Sequence, residues 1–353
     1  MFVGLDVHKR MTTAKFVNDE GEVVRTEKFL TTLEELDRFV EFLEEGDQVA
    51  LEASTSGMFV YERLEGKGLD VKVAHPAQVK AIASAVVKTD DIDAETLAQL
   101  MRLNYLPLVH IPSIDKRDLR VLVRHRIGLV RLRTQVKNKV HALLAREGIT
   151  SPCSDAFGVG GIKHLKSLCL RSSRQHALNQ LIELLEFLNK QIEDTTELLE
   201  KEACSLPEVR YLTSLPGIGV YGALVLLAEI GDVGRFPSPK PLISYAGLHP
   251  RVSQSGETTK YGHINRKSNG LIRWILIQAA HHAVKKDNRF GRTYKRLIER
   301  KPKQVALTAA ARTMLESVYW ILTKKQEYQD HPQARSPEFF MGPERTVKMM
   351  GTA

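Results

Sequence analysis

Cysteine is scarce in this chain: Cys153, Cys169 and Cys204 are the only three, and no two form a CxxC pair. A set so sparse and odd in number argues against a secreted disulfide scaffold and points to a reduced, cytoplasmic setting. Long apolar runs are missing too. No stretch approaches the roughly 18 residues of a membrane span, and the N-terminus has no signal-peptide pattern, so membrane and secretory readings drop out. What is present is ordinary globular material: 353 residues, 43% apolar and 26% charged, enough for two or three domains with real cores.

Charge divides the chain. The net charge is +9, but residues 1–110 hold 12 Lys+Arg against 20 Asp+Glu, a net of −8. The remainder carries 39 basic and 22 acidic residues, a net of +17. An acidic first domain joined to a strongly basic remainder points to a nucleic-acid partner.

Within residues 1–110, Met1–Asp6, Thr13–Asn18 and Val23–Phe29 read as three strands in hairpin order, with Asp19-Glu20-Gly21-Glu22 as a turn. Leu33, Leu36, Phe39, Val40 and Leu43 have helical spacing behind a Thr31 or Thr32 cap. Gln48–Ala53 and Val71–Ala74 are further strands, separated by a helix containing Val60–Glu65. Three hairpin strands followed by alternating helix and strand is the order of a ribonuclease H-like fold. An actin-like sugar kinase also opens on a strand ending in aspartate. It needs a second Gly-rich phosphate loop deep in the chain, and residues 111–205 offer none.

Four acids stand where such a fold holds metal. Asp6 ends the first strand and Glu52 the fourth, in an apolar stretch where an unpaired charge is costly. Asp90 and Asp93 open a helix, and their i, i+3 spacing puts both carboxylates on one face. Hard oxygen ligands favour Mg²⁺, with Mn²⁺ as the alternative, over zinc. Taken singly, Asp90 is also a good helix cap and Asp6 a strand-end turn former.

From Asp115 to Glu147 one long helical pattern carries Leu119, Val123, Ile127, Val130, Val140 and Leu144 on a stripe. Its cations Arg117, Arg120, Arg124, Arg131 and Lys137 are expected to form a ridge that contacts phosphates without reading bases. Residues Ser151–Ser167 read as a loop or hinge, and Leu178, Leu181, Leu185, Leu188, Ile192 and Leu199 as a heptad seam. The expectation is a helical coiled-coil hairpin over 111–205, or a plain helical spacer.

The basic remainder contains Leu215-Pro216-Gly217-Ile218-Gly219 before an apolar helix, a helix-hairpin-helix pattern. Gly217 and Gly219 would let backbone N–H groups reach a phosphate there. Further on, Ser255-Gly256 is flanked by Arg251, Lys260, Arg266, Lys267 and Arg273. A serine in a loop among cations is suited to attack a phosphodiester, although Ser-Gly is also an ordinary turn.

Taken together, GLDVHK at the N-terminus, the KTDxxDA box, LPGIG and the GLHPRxxxSG…GxIxxxxNxxxR stretch resemble the DEDD transposases of the insertion-sequence-110 family, with the Piv-type DNA invertases as relatives. The resemblance covers about residues 1–325. It implies a RuvC-like N-terminal domain over 1–110 whose metal ligands are Asp6, Glu52, Asp90 and Asp93. It also implies a mainly helical transposase domain over 206–325 whose nucleophile is Ser255, with Ser253 as the fallback. The fold class expected is therefore α/β plus α, with residues 326–353 as a tail that lacks a motif and could be disordered. The family implies DNA ends and target as substrates, a structured guide RNA and a homo-oligomer, dimer or tetramer. It implies no membrane partner, in a nucleoid-associated, prokaryotic cytoplasmic setting.

Three features depart from the family pattern, one of them the basic order of Asn265-Arg266-Lys267. Asp91 stands where a basic residue is common, and Ser268 where glycine is usual. The alternatives are a RuvC-like junction or flap nuclease that uses water in place of serine, and a non-catalytic nucleic-acid scaffold.

Overall fold

Apolar residues alternate along β1 (Phe2–Val7) at Val3, Leu5 and Val7, and β1, β2 (Met11–Val17) and β3 (Val23–Leu30) pair as consecutive antiparallel neighbours. The computed structural model describes residues 1–83, 89–255, 258–264 and 268–330, and its chain divides into two units, Met1–Ile111 and Pro112 onward.

In the first unit α1 (Leu33–Val40) follows, capped by Thr32, whose hydroxyl accepts from Glu35 N. Then come β4 (Gln48–Glu52), α2 (Thr55–Glu65), β5 (Asp70–Ala74), α3 (Pro76–Ile82) and α4 (Asp90–Arg102). The sheet order is β3-β2-β1-β4-β5, with β4 parallel to both β1 and β5. This mixed five-stranded sheet is consistent with a ribonuclease H-like fold.

The two faces of the sheet differ in side-chain size. Val3, Leu5, Val49, Leu51 and Val73 point to one side, onto Leu36, Phe39, Val60 and Leu64. Ala50 and Ala74 point to the other, where Leu97, Leu100 and Met101 of α4 cover them. Small residues on that side bring α4 close to the strands. Each fully buried leucine there contributes about 1.5–3 kcal/mol.

The second unit is almost entirely helical: α5 (Ile114–Arg146), α6 (Val159–Ser167), α7 (Ser172–Cys204), α8 (Pro207–Thr213), α9 (Val220–Ile230), α10 (Pro239–Ala246), α11 (Gly270–Ala283), α12 (Arg289–Ile298) and α13 (Lys303–Lys324). A two-stranded hairpin, β6 (Pro250–Ser255) and β7 (Thr258–Ile264), separates α10 from α11. Helices α5 and α7 are antiparallel: Arg126 bonds Thr196, Arg133 bonds Asn189 and Arg174 pairs with Glu147. Leu178, Leu185, Ile192 and Leu199 recur at every seventh position along the buried seam of α7.

Three expectations change. Residues 151–167 do not form one loop, because α6 occupies 159–167. Gly161 there serves close packing, since a Cβ on it would lie 2.4 Å from Ala156. Residues 111–205 and 206–325 lie in one unit, and Leu119, Val123, Ile127 and Leu199 share a core with α9, α11 and α13. The start of the expected tail is packed: Tyr328 stacks on Phe290, and Asp330 accepts from Arg289 N at 3.0 Å and from Arg292 at 3.1 Å. Residues 331–353 lie outside the described residues.

Candidate functional site

The strand pattern that buries Val3 and Leu5 on one face puts Gly4 and Asp6 on the other, beneath α4. β1 and β4 run parallel with Leu5 beside Leu51, so the next pair in register is Asp6 and Glu52, both at C-terminal strand ends. Above them α4 begins at Asp90, with Thr89 as N-cap accepting from Ile92 N at 3.3 Å. The cap sets where the first turn starts, and with it the height of Asp90 and Asp93 over the strand ends.

Asp6 and Asp90 converge on a third group that the sequence reading did not select. His8 Nε2 lies 3.1 Å from Asp6 Oδ2 and 3.3 Å from Asp90 Oδ1. One ligand atom from each of Asp6, His8 and Asp90 falls within 4.8 Å of the other two, an arrangement able to hold a metal ion. Asp6-Val7-His8 puts both side chains on one side of the chain, a relation that becomes informative only once Asp90 is folded onto them. Asp6 Oδ2 is buried, and among the described residues no donor meets it in good hydrogen-bonding geometry, although His8 Nε2 stands 3.1 Å away. A buried carboxylate oxygen without an aligned donor is what a cation would satisfy, so the residues fit a divalent metal. Burial holds the Asp6 carboxyl above its ordinary range; His8 opposes this, and the charges of Asp90 and Asp93 push it further up. Asp93 is therefore close enough to act on Asp6, whereas Glu52 is beside it by register but outside the tight three-residue group.

Asp91 does not add its charge freely to this cluster. Its Oδ2 is bonded by Lys28 Nζ of β3 at 3.1 Å, which supplies a local cation for the departure from the family pattern.

Ser255, in the second unit, is the last residue of β6, cross-strand from Thr258. Ser253, Arg251 and Lys260 lie on the same hairpin, while Gly256, Arg266 and Lys267 lie outside the described residues. Beyond the hairpin, at the start of α11, lies a network around the fully buried Glu229 at the end of α9. Its carboxylate accepts from Arg124 at 2.8 and 3.0 Å and from Asn269 at 2.7 Å. Asn269 in turn caps α11 by accepting from Leu271 N and Ile272 N. Burial alone would raise the Glu229 carboxyl, but the bonds from Arg124 and Asn269 outweigh it and hold it below its usual range. Arg273 donates to Ser268 Oγ at 2.9 Å, so the serine that replaces glycine accepts a bond that glycine could not.

The expected ridge on α5 is only partly present. Arg117 donates to the Pro112 carbonyl. Arg120 donates to the Ala228 carbonyl at 2.9 Å, satisfying the C-terminus of α9, and Arg124 turns to Glu229. These guanidiniums have internal partners, because a helix that packs on α9 must meet its last carbonyls and its buried acid. Arg131 remains exposed, and Lys137 lies over the Phe157 ring. In the helix-hairpin-helix, Gly217 has φ +88° and a Cβ on it would lie 2.4 Å from the Ala279 carbonyl oxygen of α11. The missing side chain lets the backbone approach α11 there. Gly219 is the N-cap residue of α9 and has open space around it. Sequence reading also missed α12 and its flanks, where Lys295, Arg296, Arg300, Lys301 and Lys303 are exposed and pair with no acid among the described residues.

Comparison with known proteins places these features. A family model described as "Transposase", of the DEDD insertion-sequence-110 type, matches residues 3–148, and one for the "Transposase IS116/IS110/IS902 family" matches residues 209–295. The transposase for insertion sequence element IS1111A of Coxiella burnetii is 25% identical over 342 residues, covering 92% of this chain and 90% of that one. The transposase for insertion sequence element IS1328 of Yersinia enterocolitica is 28% identical over 237 residues, 66% of this chain and 69% of that one. A pilin gene-inverting protein of Moraxella lacunata is 36% identical over 102 residues, 26% of this chain and 32% of that one. With the acids, the helix-hairpin-helix and the serine hairpin falling inside the two matched regions, the chain belongs to the insertion-sequence-110 family of transposases.

Proposed function

We propose that this transposase cuts and rejoins DNA with the Asp6, Glu52, Asp90 and Asp93 cluster and a serine nucleophile, Ser255, under guidance from a structured RNA. The observation that carries the reading is the convergence of Asp6, His8 and Asp90, with ligand atoms within 4.8 Å of one another and, among the described residues, no aligned donor to the buried Asp6 oxygen.

A divalent ion such as Mg²⁺, when bound, would polarise the phosphoryl group and stabilise its developing charge. The four acids hold and orient the phosphodiester through that charge. Ser255 Oγ forms a bond to phosphorus as the bond from phosphorus to one sugar oxygen breaks. The serine proton ends, in net stoichiometry, on the released sugar hydroxyl. The phosphoserine link preserves the energy of the broken ester, so reversal onto a different DNA end rejoins strands without another energy source. Arg251, Lys260, Arg266 and Lys267 on and beside the hairpin would neutralise the non-bridging oxygens. Arg131 and Lys137 on α5, Gly219 and the exposed cations of α12 are suited to hold DNA and RNA backbones by shape and charge.

The acids belong to one unit and the serine to the other. This is compatible with a homo-oligomer, dimer or tetramer, in which a serine of one subunit meets the acids of another. The test is a denaturing gel of full-length protein with Mg²⁺, RNA transcribed from the flanks of its element, and labelled element-end and target DNA. A slow-migrating protein–DNA adduct, absent without RNA and absent in Ser255→Ala, is expected. Free cleaved ends with no adduct, and a serine variant as active as wild type, would instead indicate a metal-dependent nuclease.

A further inference from the structure

We propose that His8 is a direct ligand of the ion held between Asp6 and Asp90, and that its imidazole biases the site toward Mn²⁺ over Mg²⁺. The inference rests on the metal-site reading above but concerns a residue outside the four acids. Its first support is distance. In an octahedron with bonds near 2.1 Å, neighbouring ligand atoms are about 3.0 Å apart. His8 Nε2 stands 3.1 Å from Asp6 Oδ2 and 3.3 Å from Asp90 Oδ1, close to two such edges, so the three atoms can be neighbouring vertices around one ion.

Position along the chain is the second support. Asp6 is the second-last residue of β1 and His8 follows the strand by one residue, so both side chains point to the α4 side where Asp90 opens its helix. The His8 side chain is 58% exposed and can adjust to a bound ion, whereas Asp6, at 18%, is fixed by the strand. Chemistry then sets the preference. A site of carboxylates alone suits Mg²⁺, while one imidazole nitrogen among the oxygens strengthens binding of Mn²⁺ and later first-row ions far more than of Mg²⁺.

The experiment uses full-length protein with Mn²⁺ or Mg²⁺ alone, and the variants His8→Ala, His8→Gln and Asp6→Asn. Calorimetric titration of wild type is expected to give tighter Mn²⁺ than Mg²⁺ binding. In His8→Ala the Mn²⁺ Kd should rise at least about tenfold, the loss that even removal of an outer partner brings, with less than about threefold change for Mg²⁺. Electron spin-echo spectra of the Mn²⁺ complex should carry imidazole nitrogen modulation in wild type and lose it in His8→Gln, a signature that mere positioning of the carboxylates would not move. Thermal melts of the variants without metal report whether they fold. Unchanged Mn²⁺ affinity and no nitrogen modulation, with binding still abolished by Asp6→Asn, would overturn the role of His8 and leave the acid site standing. Binding that survives Asp6→Asn would overturn the site itself.

Discussion

Gly4 lies directly beneath Ala94: a Cβ at position 4 would stand 1.9 Å from the Ala94 carbonyl oxygen and 2.8 Å from Ala98 N. This contact seats α4 on β1 at backbone distance. Asp90 is one turn before Ala94, and Asp6 is two residues beyond Gly4. The closeness of the two acids is therefore set by a residue that has no side chain. Gly4→Ala should force α4 off the sheet, cost about 3 kcal/mol or more as an overpacked core does, and weaken metal binding. Chemical denaturation and Mn²⁺ titration of the variant check both effects.

Asp6→Asn should separate stability from function. The raised Asp6 carboxyl means that at neutral pH the fold holds a carboxylate it disfavours, a penalty present above the folded pKa and relieved as pH falls through it. Without metal the asparagine variant is expected to melt above wild type at pH 7, and the gap should close in acid. With Mn²⁺ at a hundred times its Kd the order reverses, because only wild type gains about 2.7 kcal/mol from ligation. Paired melting curves with and without the ion decide it.

Glu229→Gln should destabilise the second unit by roughly 2–3 kcal/mol. Removing one partner of a buried pair costs about 3–5 kcal/mol, and the half-exposed Arg124 recovers part of this in water. The Glu229 carboxyl is held below its usual range, so its contribution is full above the unfolded carboxylate pKa and is lost as pH falls through the folded one. The difference between variant and wild type in urea should therefore shrink toward acid pH.

Arg296 in the last turn of α12 and Arg300, two residues past its end, are exposed, and we expect each to contact a phosphate. Changing both to glutamine should lower the salt slope of duplex-DNA binding by about 2, near 0.9 per lost contact, with the Mn²⁺ Kd unaltered. Filter binding across a salt series measures it. An unchanged slope would remove α12 from the DNA face.

The five strands, their order and the long helices were legible because period-two and heptad patterns are written in consecutive residues. The four acids stand out in the sequence because each ends a strand or opens a helix, and the fold brings Asp6 and Asp90 together with His8. His8 was not selected, since one histidine after a strand carries no spacing signal until Asp90 is folded onto it. The inward turn of Arg120 and Arg124 was also hidden. Their cations look solvated along the helix, and only the packing of α5 on α9 introduces them to Glu229, more than 100 residues later. The close packing of Gly217 was hidden for a similar reason, because its neighbour is Ala279 of α11 and not a nearby residue in the chain.

The α5–α7 hairpin is rooted at Leu119, Val123, Ile127 and Leu199 in the core of the second unit, while Val140, Leu144, Leu178 and Ile182 form a separate cluster with Leu165 at its far end. Between them runs a seam that repeats every seven residues along α7. Such a hairpin is a ruler with graduations of one heptad. Deleting or inserting seven residues in each helix would preserve the seam and shift the tip by about 10 Å, changing how far the molecule reaches without altering what it grips.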